Sequence, residues 1–321
     1  MSALESPAYP VPEGHDMPLK DQMNFGFVLP CRSWAPLKVE TIRRTAVRAE
    51  ELGFRDLWVT ENTLDDAFSF DPMVVLTYAA AVTSRIRLGA SVVVLPLHNP
   101  VHVAHQAASL DYLSGGRAVL GLGLGRAEHY ADFGIPLERR VTRFNEGVDV
   151  IKALWTKPAA EFHGDFFNVE AGMVIRPVQQ PHPPIWLGGV HRDALRRAAR
   201  VADGWMGAGG SSKRALAEAV PILREALAEQ GRDPAQFTIS KRVFMSVHEN
   251  PEIARAEALR WFRDVYHHPD WLETHGFHGT PEQAREYIEE LRDLGMTHLL
   301  LNAVTRYEDQ TEALAEVVGL A

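Results

Sequence analysis

The chain has 321 residues, 46% of them apolar and 23% charged, with a formal net charge of -9. That length and balance allow a full buried core of the ordinary globular kind. The acidic balance argues against a phosphate-backbone binder, which needs a basic face, but leaves room for a small anion at one local positive site.

Residues 1–22 are rich in proline and polar residues and lack the apolar run of a signal peptide. They are expected to form a flexible N-terminal arm ahead of one domain over 23–321. The first strand is predicted over Asn24 to Leu29. Cys31, the only cysteine, follows it, so no internal disulfide forms and a reducing, cytoplasmic compartment is expected. Cys31 reads as a buried small apolar side chain, with a pocket-lining position as the alternative. A helix over about 38–52 places Val39, Ile42, Ala46 and Ala49 on one face and stops at Gly53. Asp56 to Thr60 is a short strand, and Asp71-Pro72 opens the next helix. Arg85 to Leu95 is a near-continuous apolar run, as in a strand covered on both faces.

Asn99-Pro100 starts a further helix, and Ala118 to Leu122 is a strand. Val141, Phe144, Val148, Ile151 and Trp155 stripe a long helix. Residues 158–183 break the rhythm and read as an inserted hairpin and loop. Strands follow at Pro184 to Leu187, Gly204 to Met206, about 237–247 and His298 to Leu301, with helices between them and a helix at the end. About eight strands alternating with helices imply a parallel sheet with right-handed crossovers. Eight such units favour an α/β (β/α)8 TIM barrel, with the insertion between strands 4 and 5. Its active site is then expected at the strand C-termini. No apolar stretch approaches the roughly 18 residues needed to cross a membrane.

Strand 4 runs into Gly121-Leu122-Gly123-Leu124-Gly125-Arg126. A dinucleotide fingerprint would need glycine at 126, so the better reading is a side-chain-poor strand end with room for a planar ligand; tight strand-helix packing is the alternative. Strand 5 ends in Gly188-Gly189-Val190 and strand 6 in Gly207-Ala208-Gly209-Gly210, each just before a helix. Free backbone N–H groups at a helix start, with no side chains in the way, suit a phosphate.

The segments AEELGFRDLWVTEN, TSRIRLGASVVVLPLHNPVHVAHQAASLDYLSGGR, GLGLGRAEHYADFGIP and RPVQQPHPPIWLGGV carry a resemblance over roughly residues 24–305. They resemble the luciferase-like monooxygenase superfamily, in particular its short branch dependent on coenzyme F420. The resemblance implies FMN or the deazaflavin F420 in the barrel mouth. It also implies a ring resting on a strand-3 bulge with a cis peptide at Ser91-Val92, and a phosphate at the strand-5 and strand-6 glycines. It further implies a homodimer, with the short apolar helices 2 and 3 as the expected contact. The chain departs from its sugar-phosphate-oxidising relatives. Those have a histidine after the strand-2 acid, where this chain has Glu61-Asn62, and a glutamate where this chain has Arg126. Sugar-phosphate dehydrogenation is therefore not expected.

The expected activity is oxidoreduction with coenzyme F420, by hydride transfer at the deazaflavin C5. The alternatives are an FMN-dependent monooxygenase, with a flavin reductase as possible partner, and a non-catalytic flavin-binding protein. His129 is the first candidate for proton transfer, since histidine titrates near neutral pH. Arg126 would pair an anionic substrate or the ring, and Glu61 and Asn62 would contact the ring edge. Trp34 and Tyr130 are candidate substrate walls. His98, His102 and His105 lack companion ligands, so no metal is expected. His267, His268, His275 and His278 read as an exposed loop or a lid. Lys241 lies in strand 7, where a Schiff-base lysine would be needed for an aldolase, and nothing else supports that chemistry. Apolar loops hint at an uncharged substrate.

Overall fold

The computed structural model describes residues 17–321. Most of the expected N-terminal arm, residues 1–16, lies outside the described residues. The arm does not extend to residue 22. Leu19–Gln22 form a helical turn whose Leu19 is fully buried in the core.

Eight parallel strands form the barrel. They are β1 (Asn24–Val28), β2 (Asp56–Val59), β3 (Arg87–Ala90), β4 (Ala118–Gly123), β5 (Ile185–Gly188), β6 (Gly204–Gly207), β7 (Thr238–Val247) and β8 (His298–Ala303). Each pairs with its sequence neighbour, and β8 pairs with β1 to close the ring. Nine helices of ten or more residues surround them among the described residues. These are α1 (Val39–Leu52), α2 (Pro72–Val82), α3 (Pro100–Ser114), α4 (Arg140–Thr156), α5 (Arg192–Val201), α6 (Lys213–Glu229), α7 (Pro251–Asp264), α8 (Pro281–Asp293) and α9 (Tyr307–Val318). The local signals behave as their chemistry dictates. Asp71 accepts a bond from the Val74 N–H and Asn99 from the Val101 N–H, each with proline at the first turn, and Gly53 ends α1 at a positive φ.

The insertion between β4 and β5 includes the antiparallel hairpin Ala160–His163 and Asn168–Ala171. The long apolar run at the third strand is interrupted. It bends after Ala90, resumes as Val93–Val94 and turns through Leu95–Leu97. The Ser91-Val92 peptide at the bend is cis, as the family resemblance implies. Of the histidines near the seventh strand, His267 and His268 are exposed in a loop after α7, as expected, and His278 lies in a strand. Gly276–Gly279 is a further parallel strand on β7, and the His268 and His275 rings stack on both sides of Trp271.

The barrel interior is built in layers. Successive strand residues face opposite sides, so every second residue points inward. At the bottom, one Asp56 oxygen accepts bonds from the Trp58 indole and from His298 Nε2 at 2.9 Å, and His298 Nδ1 meets Ser240 Oγ at 2.8 Å. Above them Trp58 and Trp186 pack with ring centroids 4.8 Å apart, among Val28, Val119, Met206 and Leu300. Two indoles fit in one small barrel because the neighbouring strands carry glycine at the paired positions. A Cβ on Gly204 would lie 2.8 Å from the Trp186 ring, and one on Gly89 would overlap Trp58. Above this layer the barrel interior opens at the mouth.

Candidate functional site

A cavity of about 540 Å³ opens at the C-terminal ends of the strands. Its floor is low in side chains: Ser91, Val92, Gly123, Gly188 and Met206. The glycines of β4 have a more specific task than leaving space for a ligand. A Cβ on Gly121 would run into the Ala90 carbonyl, one on Gly123 would lie 2.5 Å from Val92, and one on Gly125 would meet Val94. The glycines therefore accept the bend after β3, and the bend presents Val92 to the cavity. The packing reading and the ligand reading of this motif describe two faces of one device.

One wall comes from the loop after β2, with Thr60, Glu61, Asn62, Thr63 and Leu64. Both Glu61 oxygens are engaged. One accepts the Val94 N–H at 2.7 Å, and the other meets His98 Nε2 at 2.7 Å. The hydrogen bond to Glu61 raises the His98 pKa above its ordinary value, with burial opposing. Asn62 donates to the Thr60 hydroxyl at 2.9 Å. The pair expected at the ring edge is thus held in place from behind. The opposite wall is Leu124, Gly125, Arg126, His129 and Phe133. His129 Nε2 is buried without a partner, while its Nδ1 lies 3.8 Å from Asp132. Arg126 lines the cavity and is largely exposed, 3.8 Å from Glu128.

The third side is the expected phosphate end. Gly188, Gly189, Val190, His191 and Ala208 line it, at the start of α5. The first-turn N–H groups of a helix have no intrahelical acceptors, and the helix dipole favours an anion there. Two residues add to this that no motif marks. Arg197 is buried to 8% exposure, makes no ion pair among the described residues, and has its Nε without a partner. Burial lowers its pKa, and Arg200 adds to the effect. It lies three residues after Ala194, on the same face of α5, and both line the cavity. Arg242, inward-facing on β7, also lines the cavity, beside the loop after β6. The signal for both was an arginine on a face otherwise given to small or apolar residues.

Several expected positions lie elsewhere. Tyr130 is no substrate wall: it is 1% exposed and its hydroxyl donates to the Leu124 carbonyl at 2.6 Å, clasping the loop after β4. Trp34 packs edge-on against Trp261 and under Arg260, outside the cavity. Gly207, Gly209 and Gly210 do not line it either. Their missing side chains make room for Leu216, Phe244 and Trp271 respectively, so the β6 loop reaches the cavity through Ala208 alone. Lys241 is fully buried and donates to the Ala208 carbonyl at 2.6 Å and the Gly209 carbonyl at 3.1 Å. Burial drives its pKa well below the lysine value, and Arg242 adds to the shift. It braces the β6 loop and does not point into the cavity. Cys31 is buried against Thr60. No cluster with metal-ligand composition occurs among the described residues.

The family model described as luciferase-like monooxygenase matches residues 23–306, nearly the whole described chain. The chain belongs to the luciferase-like monooxygenase family. Over 256 residues it is 30% identical to an F420-dependent glucose-6-phosphate dehydrogenase of Kineococcus radiotolerans, covering 77% of this chain and 74% of that one. Among solved structures it superposes on an F420-dependent secondary alcohol dehydrogenase with a TM-score of 0.81, at 20% identity over 93% of this chain and 99% of the other. The FMN complex of the oxygenating constituent of 3,6-diketocamphane monooxygenase from Pseudomonas putida matches with a TM-score of 0.74, at 16% identity over 93% and 96%. Relatives of this luciferase-like chain thus include deazaflavin- and flavin-dependent oxidoreductases, and the chain is an oxidoreductase of that type. No helix among the described residues is long and apolar enough to cross a membrane.

Proposed function

We propose that this luciferase-like protein binds coenzyme F420 in the barrel-mouth cavity and uses it in hydride transfer with a small organic substrate. The observation that carries this reading is the pairing of a side-chain-poor floor at Val92, Gly123 and Gly188 with an uncompensated buried guanidinium, Arg197, at one end. A flat ring suits the floor, and a phosphate suits the end. Arg197, the α5 start and Ala208 would hold the phosphate, and Glu61, Asn62 and Ser91 would border the ring. When bound, the deazaflavin supplies a carbon that accepts or donates hydride.

The chain's own residues supply position and one proton. The Glu61–His98 pair fixes the β2 loop to the bend that carries Val92. His129, with Nε2 unpartnered beside the cavity, is placed to give or take the substrate proton. The FMN-dependent oxygenase is the second reading, because the same floor and phosphate end suit FMN and an FMN-bound monooxygenase shares the fold. The 30% identity to an F420-dependent enzyme favours the deazaflavin.

Fluorescence titration of the purified protein with F420 and, separately, FMN tests the choice. Saturable binding of F420 at micromolar or lower concentration, with FMN at least tenfold weaker, is expected. The reverse order moves the protein to the oxygenase reading, and binding of neither sinks both.

A further inference from the structure

Beyond the cofactor end, the cavity meets a second group of donors. Arg242 lines both the main cavity and a small recess behind it, bordered by Cys31, Arg32, Trp261, Tyr266 and Asn302. Around this recess four buried donor atoms have no acceptor: Nε and Nη1 of Arg32, Nε of Arg242 and Nε1 of Trp261. Arg32 is only 6% exposed. Its Nη2 is taken by Asp65 and by the Val265 carbonyl at 2.9 Å, and its guanidinium lies over the Tyr266 ring at 4.5 Å. Arg242 Nη2 donates to the Tyr266 hydroxyl at 3.3 Å.

The balance is one-sided. Buried donors are ordinarily paired, and leaving one unpaired costs about 1–3 kcal/mol, more where the group is charged. Here four occur together around one recess. The charges are unbalanced in the same sense. Arg32 has Asp65 as its counter-ion, whereas Arg242 makes no ion pair among the described residues. Lys241 next to it donates to the Ala208 and Gly209 carbonyls and does not border the recess. One uncompensated positive charge and a surplus of donors define the complement of a monoanion with small, acceptor-only oxygens.

We infer that this luciferase-like protein takes a substrate carrying a carboxylate, held where the cavity meets the recess by Arg242, with Arg32 and Trp261 behind it. The recess has room for only about 10 Å³. It admits one oxygen atom, so the rest of the carboxylate and the substrate stay in the main cavity. This inference deepens the proposed function. It assigns Arg197 on α5 to the cofactor and Arg242 on β7, beside the recess, to the substrate. It also replaces the expectation of an uncharged substrate. The cation is on β7, inside the barrel wall, where loop composition does not reveal it.

The test uses benzoate and its neutral isostere benzamide as probes in isothermal titration calorimetry, with the protein as purified and again after F420 addition. Benzoate should bind saturably, and better than benzamide by about 10–100-fold, the range expected for hydrogen bonds to a charged group. Arg242→Gln should abolish the preference, Arg242→Lys should restore part of it, and Trp261→Phe, which keeps a ring and removes only a donor, should reduce it severalfold. Equal affinity for the two probes, no saturable benzoate binding, or a preference unchanged in Arg242→Gln overturns the assignment and leaves the recess as a hydrated void. The cofactor reading fails separately. A protein that discriminates benzoate from benzamide yet binds no F420 keeps the carboxylate site and loses the deazaflavin.

Discussion

The two ends of the barrel interior bury the same kinds of group and treat them in opposite ways. At the N-terminal end, Asp56, His298, Ser240 and the Trp58 indole satisfy one another, and only Asp56 Oδ2 is left without a partner. At the C-terminal end, Arg197, Arg242, Arg32 and His129 all retain unpartnered nitrogen atoms. Buried charges are stabilising only when compensated, so the first arrangement belongs to folding. The second is a standing deficit that a ligand can remove. The barrel therefore separates stability from function along its axis, with the two tryptophans as the partition.

The comparison breaks most visibly at Asp56. Asp56→Asn removes the carboxylate that accepts from the Trp58 indole and from His298 and should lower unfolding free energy by about 1–3 kcal/mol, as for other disrupted buried hydrogen bonds. Cofactor affinity of the folded fraction should hardly change. The effect depends on pH. Burial alone would raise the Asp56 pKa, but the charge and hydrogen bond of His298, with the Trp58 bond, lower it overall. A depressed carboxylate contributes stability above its unfolded pKa and loses it as pH falls through the folded value. Chemical denaturation should thus give a wild-type advantage that is full at pH 7 and shrinks towards pH 3. A pH-independent difference would mean that the pair acts through shape alone.

The opposite end gives the opposite sign. Arg197→Met removes a buried cation that lacks a counter-ion, so the ligand-free protein should unfold at an equal or slightly higher temperature. Its F420 affinity should fall by about 10–100-fold, the worth of a charge-assisted bond to phosphate. The same pair of measurements, melting temperature and fluorescence titration, separates the two ends. A variant that loses stability and keeps affinity would move Arg197 from the site to the scaffold.

Much of this plan was legible before any coordinates. The alternation of strand and helix signals required a closed parallel barrel, and the Asp-Pro and Asn-Pro pairs marked the starts of α2 and α3. The Gly188-Gly189 turn, expected to hold a phosphate, lines the cavity at the start of α5, because a helix start announces itself locally. What stayed hidden was set by contacts between distant segments. Gly207, Gly209 and Gly210 looked like a second phosphate loop, but their space is filled by Leu216, Phe244 and Trp271. Tyr130 looked available, and its hydroxyl was already spent on Leu124. Arg197 and Arg242 lie within a helix and a strand, where an arginine ordinarily reads as a solvated side chain. Only the registration of α5 and β7 with the cavity turns them inward.

The smallest expected effect concerns Glu61, which stands between the two regimes, being both a cavity wall and a fully bonded group. Its bond to His98 raises the histidine pKa, so the imidazolium is favoured in the folded protein. A raised pKa contributes stability that is complete below the unfolded histidine value of about 6.5 and disappears as pH rises through the folded one. Glu61→Gln keeps the Val94 acceptor and removes the charge. The wild-type advantage over Glu61→Gln should therefore be larger at pH 5.5 than at pH 8.5, and modest throughout, because His98 is 34% exposed and solvent screens the pair. NMR titration of the His98 ring should place its midpoint above that of a free histidine in the wild type and near it in the variant. If both midpoints coincide, Glu61 holds the β2 loop through the Val94 N–H alone, and the pair has no part in protonating the cavity wall.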